Sequence, residues 1–397
     1  MTANALGYAG NAAVVSVAAL LASQMLANDT IAGLPAAAGT LGTAIIASPL
    51  AQRSKRRGRR VGILFGYSLA MVGCGAAFVA GQIGAFWLLV IAMSIAGAGA
   101  ASNLQNRFAA TDLAPAHERA RSIAMVVWVG TIGSVLGTPT ALWANRIGMG
   151  LGATEWATPM LLGIVGFGLA GAVVTIFLRP DPLELAGGVD PEAPRNNPFR
   201  GVKQSLAAVW PNVNARLALV AMAVSQGAMV AVMVMTPLHM KDHGQAELSI
   251  LVIAIHVLGM FGFSPLVGRF ADRFGRVRAL QTGALILGAG TVLAVAFGYV
   301  PTLIFAGLFL LGLGWSFALI AGSALLTESL PFDQRVPAQG LSDVLMSLSG
   351  AVAALSSGFV KELLGYHWLA NAATFAAVFI LIGATRVRSD KATVVIT

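Results

Sequence analysis

Apolar runs of similar length, separated by short polar or Pro/Gly-bearing breaks, fill almost the whole chain. They fall near 8–27, 33–51, 61–80, 85–106, 122–143, 158–178, 216–238, 247–267, 279–298, 301–326, 337–360 and 366–385. A helix needs about 20 apolar residues to cross a bilayer, so the pattern predicts an all-α membrane protein of twelve transmembrane helices. The longest polar stretch, 181–215, contains Pro182, Pro191, Pro194 and Pro198 and a run of acids followed by bases. It reads as a linker between an N-terminal six-helix domain, 1–180, and a C-terminal six-helix domain, 216–397. Near its end Val202, Leu206, Val209 and Trp210 recur at helical spacing, which predicts an interfacial helix.

Composition agrees with this picture. The 397 residues are 57% hydrophobic and 10% charged, against roughly 25% charged in a soluble domain. The net charge of +9 is sorted by topology: RSKRRGRR (53–60), Arg119, Arg121, the segment 179–216, RFADRFGRVR (269–278), Arg335 and the tail from Arg386 share one side. The other side keeps Arg146, Lys241 and Lys361. By the positive-inside rule both termini are cytoplasmic, in a multi-pass protein of the cytoplasmic (inner) membrane. The basic excess is thereby spent on orientation, the lipid bilayer is the partner it implies, and a nucleic-acid role loses support. No Lys or Arg precedes the first apolar run, which argues against a cleaved signal peptide. Cys74, the single cysteine, lies in an apolar run and is assigned to packing.

Candidate chemistry is sparse. Arg107, Asp112, Glu328 and Asp343 sit near span ends, where snorkelling or loop pairing explains them. His256 lies about nine residues into the eighth span, at a depth where ionisable groups default to function. Met229 and Met233 are four apart on the seventh span, and His256 and Met260 are four apart on the eighth. Residues four apart share a helix face, so antiparallel neighbours would bring three thioethers and one imidazole together. Thioethers are soft neutral donors that select Cu(I), although a methionine stripe alone is more often core filler. His239, Met240 and His243 stand in the turn between these spans, as ligands at an entrance or as ordinary solvated residues.

Two stretches resemble one another: SPLAQRSKRRGRR from Ser48 and SPLVGRFADRFGRVR from Ser264, at the same point in each half. Here the chain resembles the major facilitator superfamily, whose loops after the second and eighth helices carry G-x-L-A-D-R-x-G-R. Gly268, Asp272, Arg273, Gly275 and Arg276 match that motif, while the first copy keeps Gly58 and Arg59 and has Lys55 where an acid would stand. The resemblance implies the major facilitator fold, two six-helix pseudo-symmetric domains, with Asp272 and Arg276 setting the conformational equilibrium. Gly130, Gly133, Gly137 and Pro139 on the fifth span are similar to an antiporter glycine-proline motif, with helix packing as the plainer role.

Met229-x-x-x-Met233 and His256-x-x-x-Met260 resemble the paired motifs of the CcoA-type copper importers. That resemblance implies uptake of copper through Met229, Met233, His256 and Met260, and the soft thioether donors favour Cu(I). It further implies supply to haem–copper oxidase assembly, with a cytoplasmic copper chaperone or assembly factor as partner. Copper is then the transported substrate, with no prosthetic group. The alternative is a proton-coupled exporter of small organic compounds, with His256 or Asp343 as proton site, and a third reading is a non-transporting metal receptor. No nucleophile–base pair, phosphate loop or carboxylate dyad points to an enzyme.

Overall fold

The computed structural model describes residues 1–26, 31–193, 197–242, 248–296 and 300–387. Among them twelve helices are long and apolar enough to cross a membrane. The first six spans are α1 (Thr2–Met25), α2 (Leu34–Arg57), α3 (Arg59–Ile83), α4 (Phe86–Ala109), α5 (Arg119–Gly150) and α6 (Pro159–Phe177). Two short helices follow, α7 (Pro182–Leu185) and α8 (Pro198–Val209). The remaining spans are α9 (Val213–Asp242), an interrupted eighth made of α10 (Ser249–Val257) and α11 (Ser264–Phe274), α12 (Arg276–Ala296), α13 (Pro301–Glu328), α14 (Phe332–Leu364) and α15 (Tyr366–Arg386).

The interruption has a local cause. Between α10 and α11 the residues Leu258–Gly262 form a π-turn. Pro265 at the start of α11 has no amide hydrogen to give to the preceding turn, and the wider π-turn absorbs the missing bond. Gly259 lets the segment lie against α13, where a Cβ would crowd the Phe309 carbonyl. The angular spacing of residues across 256–260 therefore departs from that of a regular α-helix.

Two apolar cores hold the bundle. One is built from residues between Ala3 and Val174, and the other chiefly from residues between Val209 and Ala384. On the face that carries the basic loops, the two sets of spans close on each other through α2 with α14 and α5 with α11. Glycines allow that closure. At Gly340 a Cβ would run into Ala51 on α2, and at Gly268 it would stand 2.9 Å from the Ala120 carbonyl. Helix α8 lies against α2 and α14, with Val209 buried and Trp210 exposed. On α5 the glycines Gly130, Gly133 and Gly137 face Tyr8, Ala5 and Ala9 of α1, a packing contact.

A cavity between the halves and a sealed basic face

The two copies of the loop motif have the same backbone turn, with Gly58 at φ 93° and Gly275 at φ 96°. A left-handed residue there carries no Cβ penalty only as glycine. Each following arginine reaches an acid at the end of the next span. Arg59 pairs with Asp112 at 2.8 Å, and Arg276 pairs with Glu328 at 2.9 Å. Asp272 accepts hydrogen bonds from the backbone amides of Ala120 (3.2 Å) and Arg121 (2.9 Å) while Arg276 stands 2.6 Å away. The carboxylate thus caps the start of α5 from the other half of the chain, satisfying amides that a helix N-terminus leaves unpaired. Arg276 also donates to the Ala116 carbonyl at 2.7 Å, whereas Arg273 lies over the Phe274 ring.

The first copy departs from this arrangement. Lys55 donates to the Gly188 carbonyl at 3.2 Å, and its own carbonyl accepts from Asp190 N at 2.8 Å, so the linker is tied to α2. Asp181 takes the amides of Arg59 (3.1 Å) and Arg60 (2.8 Å) at the start of α3, a cap made within one half rather than the cross-half cap that Asp272 gives α5. Sequence comparison of the two loops had no signal for this residue, because it lies far along the chain. Replacing Asp181 with alanine is expected to cost about 1–2 kcal/mol of stability, the worth of a helix cap, read as a lowered thermal midpoint of purified protein.

Behind these loops lies a second layer of charge that bridges the halves. Arg107 on α4 pairs with Asp343 on α14 at 2.7 Å, both essentially buried at 2% and 0% side-chain exposure. Gln105 donates to the other Asp343 oxygen at 2.6 Å and accepts from Arg59. Arg59 in turn reaches Gln339 on α14 at 2.6 Å. Arg107 and Asp343 are therefore not snorkelling side chains. They are an internal ion pair with every polar arm engaged.

Above this layer is a cavity of about 310 Å³ with wall residues from both halves. On α2 it is lined by Ala36, Gly39, Thr40 and Thr43, from the beginning of that helix. It therefore extends away from the basic face, which the ion pairs close. Among the described residues the wall holds no Asp, Glu, Lys, Arg or His. Tyr8, Phe261 and Trp315 form an aromatic column across the halves, with ring centroids 5.9 and 5.7 Å apart in edge-to-face contact. Trp315 donates its indole N–H to Gln226 Oε1 at 2.6 Å, so its polar atom is already engaged. Asn11, Asn103 and Gln226 supply amides, and Met93, Met229, Met260 and Met346 supply thioethers.

The four residues singled out for copper are divided by this arrangement. Met229 and Met260 line the cavity. Met233 is half-buried against the second apolar core. His256 is fully buried and turned toward α13, with Nδ1 2.8 Å from the Leu308 carbonyl. A carbonyl only accepts, so Nδ1 carries the hydrogen and Nε2 is left as a buried acceptor with no partner. No group of three or more His, Cys, Asp or Glu side chains suited to a metal ion occurs among the described residues. His239 is helical, buried and stacked on Tyr366 at 4.2 Å, and Met240 is buried too. The expected turn thus begins further along the chain, and His243 lies outside the described residues.

Comparison with known proteins bears on the whole chain. The model of the family described as Major Facilitator Superfamily matches residues 1–251 and 217–394. An MFS-type transporter of Bacillus subtilis, YdeG, is 40% identical over 359 residues, covering 89% of this chain and 83% of that protein. The riboflavin transporter RfnT of Brucella anthropi is 26% identical over 375 residues, 92% of this chain and 90% of its own. Among solved structures, the human organic anion transporter MFSD10 superposes with a TM-score of 0.81 at 13% identity, covering 96% and 97% of the two chains.

Proposed function

This chain belongs to the Major Facilitator Superfamily, a membrane transporter with that fold, and we propose that its cargo is an uncharged, flat, amphipathic organic molecule. The observation that carries this reading is the cavity wall. A volume of about 310 Å³ lies in the range of small-molecule sites, which are mostly apolar with a few placed polar groups. The aromatic rings of Tyr8, Phe261 and Trp315 suit a planar cargo, and amides at Asn11, Asn103 and Gln226 suit its polar rim. A wall without charged side chains favours neutral cargo, since an ion would be desolvated there without a counter-charge. RfnT, a riboflavin transporter similar over nearly its full length, supports the same chemical class.

In this reading the basic loops face the cytoplasm, the carrier stands closed on that side, and transport proceeds by alternating access about the cavity. Proton-coupled export is the direction proposed for such cargo.

Copper is the second reading, favoured by the thioethers of Met93, Met229, Met260 and Met346 around one cavity. Delivery to an oxidase, with a chaperone as partner, belongs to that reading alone. Proteoliposomes separate the two. Saturable movement of riboflavin or a similar ring compound, reduced at least about tenfold by Trp315→Ala, is expected on the first, from the loss of a buried stacking face. Saturable copper uptake lost in Met229→Ala and Met260→Ala, with no movement of ring compounds, would replace it by the second.

A further inference from the structure

One buried donor on a residue of the cavity wall is unused, and a chain of hydrogen bonds fixes which end of its amide is the nitrogen. The chain starts at the Val126 carbonyl on α5, a group that only accepts. Asn4 Nδ2 donates to it at 2.8 Å, so the Asn4 oxygen faces the other way. That oxygen accepts from Asn106 Nδ2 at 3.0 Å, and the same Asn106 nitrogen donates to the Tyr67 hydroxyl at 2.8 Å. Tyr67 has then accepted and must give its own hydrogen to Asn103 Oδ1, 2.9 Å away. Turning any of these amides over would set oxygen against oxygen or waste the tyrosine hydrogen.

The result is an Asn103 amide whose oxygen is engaged and whose nitrogen has no partner, although the residue is 3% exposed and lines the cavity. Buried polar groups are almost always paired, and leaving a donor unpaired is costly, so each exception needs a reason. Gly7 makes the arrangement possible, because a Cβ there would crowd the Asn103 oxygen and stand 2.9 Å from the Tyr67 hydroxyl.

We infer that Asn103 Nδ2 is the donor that orients the cargo, which is therefore a neutral planar ring compound bearing a hydrogen-bond acceptor such as a ring carbonyl. This rests on the organic-cargo reading and adds to it the polarity of the contact. The chain of amides dictates that the site gives a hydrogen and the cargo supplies the lone pair. A cargo offering only donors at this point would leave two donors facing each other.

The test uses 9-fluorenone and fluorene, which share a three-ring frame and differ by one carbonyl. Their binding to the full-length protein in nanodiscs is measured by equilibrium dialysis, with empty nanodiscs subtracted. The wild type is expected to prefer fluorenone at least about tenfold, the worth of one hydrogen bond to an otherwise unpaired buried donor. Asn103→Leu should bring the ratio below about twofold while fluorene still binds, which shows that the cavity is intact. Gly7→Ala, outside the wall, should erode the same preference by displacing the amide, and it decides the matter if Asn103→Leu does not fold. A wild-type ratio near one, or a preference that survives Asn103→Leu, overturns the assignment of Asn103 alone. Failure of the wild type to bind either compound overturns the organic-cargo reading and this inference with it.

Discussion

Asp343→Ala is expected to lower the thermal midpoint of the purified protein sharply and to cut transport in proteoliposomes at least tenfold, the factor equivalent to about 1.4 kcal/mol. The substitution leaves the Arg107 guanidinium buried without its counter-charge. Arg107 keeps Ser323 Oγ at 3.1 Å, the Leu104 carbonyl at 3.0 Å, the Met346 sulfur at 4.0 Å and the Phe108 ring face, all uncharged. Removing one partner of a buried ion pair costs about 3–5 kcal/mol, because a desolvated charge is stranded. The pair also joins α4 to α14 directly below Leu104, Met346 and Ser347 of the cavity wall. A carrier that opens toward the basic face has to separate these two side chains. Replacing both together, Arg107→Met with Asp343→Leu, removes the stranded charge and should recover at least half of the lost stability. Equal midpoints for Asp343→Ala and wild type would show that the pair does not hold the halves together.

Asp272→Ala is expected to shift the conformational equilibrium rather than affinity for cargo. Its carboxylate holds the first amides of α5 across the interface and is the near partner of Arg276. A charged cap of this kind is worth about 1–2 kcal/mol, and the bond to α5 is made with the basic face closed. Its loss should therefore favour opening at that face by roughly tenfold. The check is labelling of a cysteine at Ala100, a half-buried cavity position, in a Cys74→Ala background. An impermeant maleimide presented from the basic face should react about tenfold faster when Asp272 is absent. An unchanged rate, or a tenfold loss of cargo affinity, would contradict this role.

Much of the architecture is legible in the sequence. Run lengths place the twelve spans to within several residues, and the helices mostly extend past the apolar runs because polar ends remain helical outside the bilayer core. The repeat after the second and eighth spans is also legible, since Gly58 and Gly275 meet the same steric demand. Legibility stops where partners are distant in the chain. Lys55 in place of an acid reads as a lost contact, yet it ties α2 to the linker at Gly188 and Asp190, while Asp181 caps α3 from beyond α6. Arg107 and Asp343 read as separate span-end charges until the halves are brought together.

The candidate site divides along the same line. Spacing of four residues correctly identifies neighbours on a regular helix, and it proposes Met229 with Met233 and His256 with Met260. It has no term for the π-turn at Leu258–Gly262, which separates the direction of His256 from that of Met260. Nor does it register the Leu308 carbonyl that draws His256 toward α13. The Asn103 donor is less visible still, because its significance depends on the orientation of three other side chains and one backbone carbonyl.

Bilayer thickness and loop charge act on each segment separately, so the sequence by itself determined the number of spans, the basic face and the family motif at Gly268 to Arg276. Side-chain direction, charge pairing and the polarity of hydrogen bonds depend on which helices become neighbours. Only the tertiary structure therefore decided that the cavity is walled by aromatic rings and amides, that Met229 and Met260 belong to it, and that His256 is turned away.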